Sequence, residues 1–387
     1  MQVKSRMRPE RLNIGFVRRG FSRSGGAEAY AQRLARGLAA AGNEATLFTS
    51  AEWPNEQWPH GKIVRVKASE PLAFADELER IDPGKYCDVV LSFERIWRCD
   101  FFRAGDGVHR AWLERRAQFD GAFQKFARRL GGKDNQILQL ERALLAEGGA
   151  RRVIANSLMV RDDIVRCYGR SAVSIELVRN GLRVSDFGPA PLKRQAARSQ
   201  LGLGADMAVL FAGSGWARKG LRFAVAAAEK AQTQLLVAGR GKEGRYRSNA
   251  VRFLGEMDDM RLPLAAADVF ILPTLYDPFS NACLEAMAAG LPVITTRANG
   301  CSEIIDDKVH GSIVERPDDV DALASALRFW SDGARRLNAR SNLLERATQF
   351  DISRNVAQML ELLLGSTGTE LYPGIEAEFT SGKIRNT

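Results

Sequence analysis

Asp277 and Glu285, in the segment YDPFSNACLEAMAAG, stand eight residues apart and are the most informative acidic pair in the chain. On a helix that spacing is roughly 10–12 Å at ~1.5 Å per residue. Carboxylates that cleave a glycosidic bond lie about 5–9.5 Å apart, so the pair suits two grips on one extended ligand better than hydrolysis. Asp277 before Pro278 also has the place of a helix N-cap, with Pro278 in the first turn. Glu285 sits among Cys283, Leu284, Ala286 and Met287. A carboxylate in such apolar company needs a partner.

Three further groups have the right types for chemistry. Arg218 and Lys219 lie in GSGWARKGL, between a strand and the amino end of the next helix, where cations are unfavourable unless an anion joins them. A diphosphate would be that anion, with Lys219 a point charge and Arg218 a planar fork; the plainer alternative is a solvated basic pair. Gly25 and Gly26, in SRSGGAE, let backbone N–H groups approach a ligand at a helix N-terminus, or make an ordinary tight turn. Asp106 and His109, in FFRAGDGVHRAW, follow a short strand and can point into a cleft. A turn aspartate and a packing histidine are the alternatives.

The elements that must position these residues alternate along nearly the whole chain. Strands are expected at Leu12–Val17, Ala45–Thr49, Ile63–Val66, Asp88–Phe93 and Val153–Ala155. A second series runs Ala208–Ala212, Gln234–Ala238, Val251–Phe253, Val269–Leu272, Pro292–Thr295 and Gly311–Val314. Helical patterns separate them, as at Ala27–Ala41, where Gly42 has the place of a terminating cap. Two such series predict an α/β chain of two Rossmann-like, doubly wound domains facing a cleft. The expected division is 1–184 and 185–349, with turn signals and prolines clustered at Asn180–Pro191. A C-terminal helix at about 350–365 is expected to pack back on the first domain, and 366–387 to be a loose tail.

Composition narrows the partners. The chain has 387 residues, 45% hydrophobic and 26% charged, enough for two cores. No apolar run approaches the ~18 residues of a spanning helix, and the basic N-terminus lacks a signal peptide's apolar stretch. Five widely spaced cysteines fit neither a disulfide framework nor a zinc pattern and suit a reducing cytoplasm. A net charge of +10 favours an anionic partner. Residues Arg95–Lys133 carry ten Arg/Lys against four acids, interleaved with aromatics, the pattern of an amphipathic segment for an anionic membrane surface. The competing reading is a solvated face whose aromatics are core.

Taken together, these segments resemble a retaining family 4 glycosyltransferase of the GT-B fold, over Leu12 to about Leu364 and most specifically over Ala267–Val314. The family's E-x7-E element aligns with Asp277 to Glu285, Asp replacing the first Glu; its glycine loop aligns with Ser22–Glu28 and its basic pair with Arg218 and Lys219. Where many members carry a further Arg just after the strand, this chain has Ser214. The GS-x3-RKG element, Asp106 and the basic aromatic segment before Glu141 are most similar to the branch of lipopolysaccharide core glucosyltransferase I. The resemblance implies a nucleotide-sugar donor, UDP-glucose, a saccharide or glycolipid acceptor such as lipopolysaccharide inner core, and neither cofactor nor metal. It implies that Arg218 and Lys219 neutralise the diphosphate and Glu285 holds the ribose. Asp277 and backbone N–H groups of Phe279, Ser280 and Asn281 would hold the sugar, the base would meet backbone at Met257, and Asp106 and His109 would orient the acceptor or sugar. Such an enzyme works at the cytoplasmic face of the inner membrane. A nucleotide-sugar epimerase of the same architecture is the nearest rival, and a basic membrane- or polyanion-binding protein the next. No nucleic-acid module is visible.

Overall fold

The computed structural model describes residues 11–22, 26–50, 53–121, 132–188 and 191–365; the expected tail, 366–387, lies outside them. Strands β1 (Asn13–Val17), β2 (Glu44–Thr49), β3 (Ile63–Arg65), β4 (Val89–Ser92), β5 (Cys99–Arg103), β6 (Ala150–Ala155) and β7 (Ile175–Leu177) form one sheet. Their spatial order is β3-β2-β1-β4-β5-β6-β7, with every pair parallel. A second parallel sheet comprises β8 (Ala208–Ala212), β9 (Gln234–Ala238), β10 (Val251–Gly255), β11 (Val269–Leu272), β12 (Val293–Thr296) and β13 (Gly311–Val314). Its order is β10-β9-β8-β11-β12-β13.

The helices on the first sheet are α1 (Gly26–Ala40), α2 (Pro71–Ile81), α3 (His109–Phe119), α4 (Gly132–Leu145) and α5 (Leu158–Tyr168). Those of the second half are α6 (Pro191–Gln200), α7 (Leu221–Ala231), α8 (Arg261–Ala266), α9 (Asn281–Ala288), α10 (Val320–Phe329) and α11 (Gly333–Thr348); α12 (Ile352–Gly365) ends the described chain. Each sheet is buried on both faces, so its strands read as apolar runs rather than as alternation. In β5, Phe101 faces a core with α1 and α12, while Phe102 faces the core built by α2, α4 and α5. Helix α12 lies on α1, with Val356, Met359 and Leu363 in the same cluster as Leu34 and Leu38. The chain's two crossings between the sheets run side by side: Leu182 N donates to Phe350 O at 3.1 Å and Ile352 N to Leu182 O at 2.9 Å.

The segment 95–133 is not the single amphipathic element its composition suggests. Sheet formation takes Cys99–Arg103 into β5, burying Phe101, Phe102 and Arg103. Half-buried Arg95 pairs with buried Glu141, Nε to Oε1 2.9 Å. Of the described part, His109–Phe119 form α3 and Lys133 belongs to the first turn of α4, while Phe123, Lys125, Phe126, Arg128 and Arg129 lie outside the described residues. Much of the supposed membrane face is therefore core and internal ion pair. Among the described residues no helix is long and apolar enough to cross a membrane.

In both sheets the strand order reverses beside the first strand, between β1 and β4 and between β8 and β11. Ligands of doubly wound sheets bind at such switch points, beyond the carboxyl ends of the strands. Here the two switch points face one another.

Candidate active site

Between them lies a cleft of about 630 Å3. Its wall on the second sheet begins where β8 ends at Gly213, whose φ is +132°. A Cβ there would stand 2.7 Å from Lys219 Nζ, so glycine lets the lysine side chain lie along the strand exit. Lys219 Nζ comes 3.5 Å from Asp277 Oδ2. The loop before α7 is pinned to the exit of β11, because Arg218 O accepts from Leu275 N at 2.8 Å and from Thr274 Oγ1 at 3.0 Å. The guanidinium of Arg218 has no carboxylate within ion-pair distance among the described residues.

Asp277 is not a helix cap. Helix α9 starts at Asn281, and Ser280 caps it by accepting from Cys283 N at 3.4 Å. Pro278 precedes the helix rather than opening it, since Asp277 is held in extended backbone: its N donates to Ala298 O and its O accepts from Gly300 N, both at 2.9 Å. The carboxylate is thus left free to meet Lys219. Ser280 N donates to Asn299 Oδ1 at 3.3 Å, so of the three N–H groups expected to face a sugar this one is already engaged. Phe279 is core, 6.4 Å from Phe350 between ring centroids.

One turn into α9, Glu285 lines the cleft and finds its partner across it. Arg33 Nη2 of α1 donates to Glu285 Oε1 at 3.3 Å. Burial raises the Glu285 carboxyl above the ordinary range, with Arg33 and then Lys219 opposing that shift. The other terminal nitrogen of Arg33, Nη1, is buried without a hydrogen-bond partner among the described residues. Beside this pair the domains are bridged by amides: Asn281 Nδ2 donates to Gly26 O at 3.1 Å, and Asn180 Nδ2 to Asn281 Oδ1 at 2.7 Å. Gly25 lies outside the described residues.

The first domain contributes a charged cluster. Arg18, directly after β1, donates to Asp106 Oδ2 at 2.6 Å and to Glu28 Oε1 at 3.1 Å. Although burial opposes it, Arg18, with Arg95 and Arg218, holds the Asp106 carboxyl below its ordinary value. Asp106 is therefore ionised and poorly suited to accept a proton. His109 opens α3 but does not line the cleft: its Nε2 stands 3.0 Å from Asp134 Oδ1. The amino end of α3 is satisfied instead by buried Glu141, which accepts from His109 N at 2.7 Å and Arg110 N at 3.1 Å. That cap fixes the helix in a rotation that turns His109 away. Met257 lines the rim beside Glu256 and Asp258.

The structure thus gathers Gly26, Asp106, Arg218, Lys219, Met257, Asp277, Phe279, Ser280, Asn281 and Glu285 around one cleft and leaves His109 outside it. Arg18, Arg33 and Asn180 belong there and were not anticipated. Arg18 had a usable signal, as the first residue beyond a strand at the switch point. Arg33 had none, since its partner lies 252 residues away.

Comparison with known proteins agrees with this fold. Residues 206–331 match the family described as glycosyl transferases group 1. A probable transglycosylase of Burkholderia thailandensis is 29% identical over 91% of this chain and 96% of its own. A D-inositol 3-phosphate glycosyltransferase of Catenulispora acidiphila is 27% identical over 87% of this chain and 89% of its own. Among solved structures, WaaG, a glycosyltransferase involved in lipopolysaccharide biosynthesis, superposes with TM-score 0.76 at 21% identity, covering 92% of this chain and all of its own. Anabaena HepE in complex with UDP and glucose gives 0.72 at 18% identity, over 91% and 99%. The match to group 1 glycosyl transferases thus covers residues 206–331, and the whole described chain has the two-sheet GT-B fold of these solved structures.

Proposed function

We propose that this glycosyltransferase moves a hexose, with retention, from UDP-glucose to a saccharide or glycolipid acceptor of the lipopolysaccharide inner-core type. The observation that carries the reading is the convergence of Arg218, Lys219, Asp277 and Glu285 with the amino end of α9 on one cleft between the sheet switch points. Two unlike grips are present: cations with a helix N-terminus for a diphosphate, and a half-buried carboxylate for ribose hydroxyls. WaaG and the HepE complex, named above, have the same fold and point to the donor and acceptor classes.

In this reading the departing diphosphate develops charge against Lys219 and Arg218, so a metal ion is not needed for that step. The acceptor oxygen attacks the anomeric carbon from the face the diphosphate leaves, and its proton passes to a departing phosphate oxygen. Asp277, set by Lys219, holds the sugar. Asp106, kept ionised by Arg18, accepts a hydrogen bond from a sugar or acceptor hydroxyl and orients it. All five cysteines are free thiols, the condition of a reducing compartment, and we place the reaction in the cytoplasm.

The test is calorimetry of UDP, GDP and ADP with a chelator present, on wild type and Glu285→Ala. Selective UDP binding lost in the variant supports the donor site; equal binding of all three nucleotides, or an unaffected variant, overturns it. Stoichiometric UDP release with an α-linked product by NMR separates retaining transfer from epimerisation.

A further inference from the structure

Beyond Arg218 the cleft runs into a second hollow, of about 930 Å3, that the donor reading leaves unused. One wall is α3, with Trp112 and Phe119; the other is the loops after β8 and β9. Phe119 meets Phe223 of α7 edge-on at 6.0 Å, which ties the walls together. The floor is rigid: Trp216 stacks on Phe253 at 5.6 Å and its Nε1 donates to Gly213 O at 3.0 Å.

The rim is cationic. Arg218, Arg222, Lys242 and Arg245 line this hollow, and none has a carboxylate within ion-pair distance among the described residues. Two of them are aimed by aromatic rings: the Arg222 guanidinium sits 4.4 Å over Phe223, and that of Arg245 lies 4.8 Å over Tyr246 and donates to its hydroxyl at 2.7 Å. Like charges gathered around one concavity repel, and the repulsion is relieved when an anion joins them. The half-buried Trp112 lines the same trench, one face of its ring covered by the Arg116 guanidinium at 5.6 Å. Rings of this kind accept the apolar face of a pyranose, and guanidinium forks bind phosphate or carboxylate.

We propose that this trench binds the acceptor and that the acceptor is an anionic saccharide, its sugar units bearing phosphate or carboxylate groups, with the reacting end at Arg218. The inference rests on the transferase reading above and adds the acceptor's charge and path. A concave trench between two domains favours a saccharide chain over a lipid surface, which needs a convex or flat face.

The test uses the full chain saturated with UDP and two matched pairs of probes: tetragalacturonate against its methyl ester, and trehalose 6-phosphate against trehalose. At least one charged probe should bind roughly tenfold more tightly than its neutral partner, as charge-assisted contacts require, and which one does separates carboxylate from phosphate. The triple variant Arg222→Ala/Lys242→Ala/Arg245→Ala should lose that preference and keep wild-type UDP affinity; none of the three belongs to the donor set. No preference for charge in wild type, or an unchanged preference in the variant, overturns the proposal. So does a variant that loses binding to phosphatidylglycerol vesicles while keeping the saccharide preference. Failure of UDP to bind wild type would overturn the donor reading instead, and the probe pairs, repeated without UDP, still decide the trench.

Discussion

Glu285→Gln isolates the charge of the proposed ribose carboxylate while keeping its shape. A hydrogen bond to a charged group is worth about 1.5–3 kcal/mol and one between neutral groups about 0.5–1.5, so two ribose contacts lose about 2–3 kcal/mol together. That corresponds to ~30–150-fold weaker binding. The pH dependence sharpens the test. Burial raises the Glu285 carboxyl, and only the ionised form accepts both ribose hydroxyls, so wild-type affinity should fall as pH drops through the raised value, above the ordinary glutamate range. UDP-glucose is the ligand to titrate, because the terminal phosphate of UDP itself titrates near pH 6. The stability sign is the reverse. A raised carboxyl means the folded chain binds the extra proton, so this group's contribution to stability falls as pH rises from the ordinary to the raised value. The glutamine variant lacks that loss, although Arg33, with 27% of its side chain exposed, gives up its counter-charge to water. Its melting temperature at neutral pH should stay within about 4 °C of wild type. Calorimetry between about pH 5 and 8 decides. Affinity within about threefold of wild type, or an unchanged pH slope, would refute the reasoning.

Lys219→Ala should weaken UDP binding by ~10–100-fold, one charge-assisted contact or slightly more, with an unchanged circular dichroism spectrum; wild-type affinity would remove Lys219 from the diphosphate site. Asp277→Asn frees Lys219 from its carboxylate, so UDP affinity should hold or rise while kcat falls by roughly 10–1,000-fold; an unchanged kcat would show that the carboxylate does not hold the sugar. His109→Ala should leave kcat/KM near wild type, because the ring faces Asp134 and not the cleft; a loss of 100-fold or more, about 2.7 kcal/mol, would mean that His109 reaches the reacting atoms. Gly107→Ala forces a side chain onto a residue at φ +73° with a Cβ 2.5 Å from the Tyr276 hydroxyl, which Val108 N meets at 2.8 Å across the domains. A loss of about 1–3 kcal/mol in urea unfolding is expected; wild-type stability would show that this contact yields at no cost.

What could be read along the chain was whatever depends on neighbours in sequence. Runs such as Val-Phe-Ile-Leu at 269–272, flanked by helical periodicity, announce buried parallel strands, and two series of them announce two doubly wound sheets. Arg218, Lys219, Asp277 and Glu285 were visible because charged residues beside strand ends and within apolar helices are locally anomalous. Local context also misled. Asp-Pro suggested a cap at Asp277, but Ser280 takes that place once the backbone of Asp277 pairs with Ala298 and Gly300. The basic aromatic stretch suggested a surface, but β5 needed its phenylalanines for both faces of a sheet. The pairing of Glu285 with Arg33, the hold of Arg18 on Asp106, the rotation that turns His109 toward Asp134, and the gathering of Arg218, Arg222, Lys242 and Arg245 opposite Trp112 all join residues far apart in the chain. No local propensity encodes them, because each exists only after two separately folded sheets bring their switch points face to face.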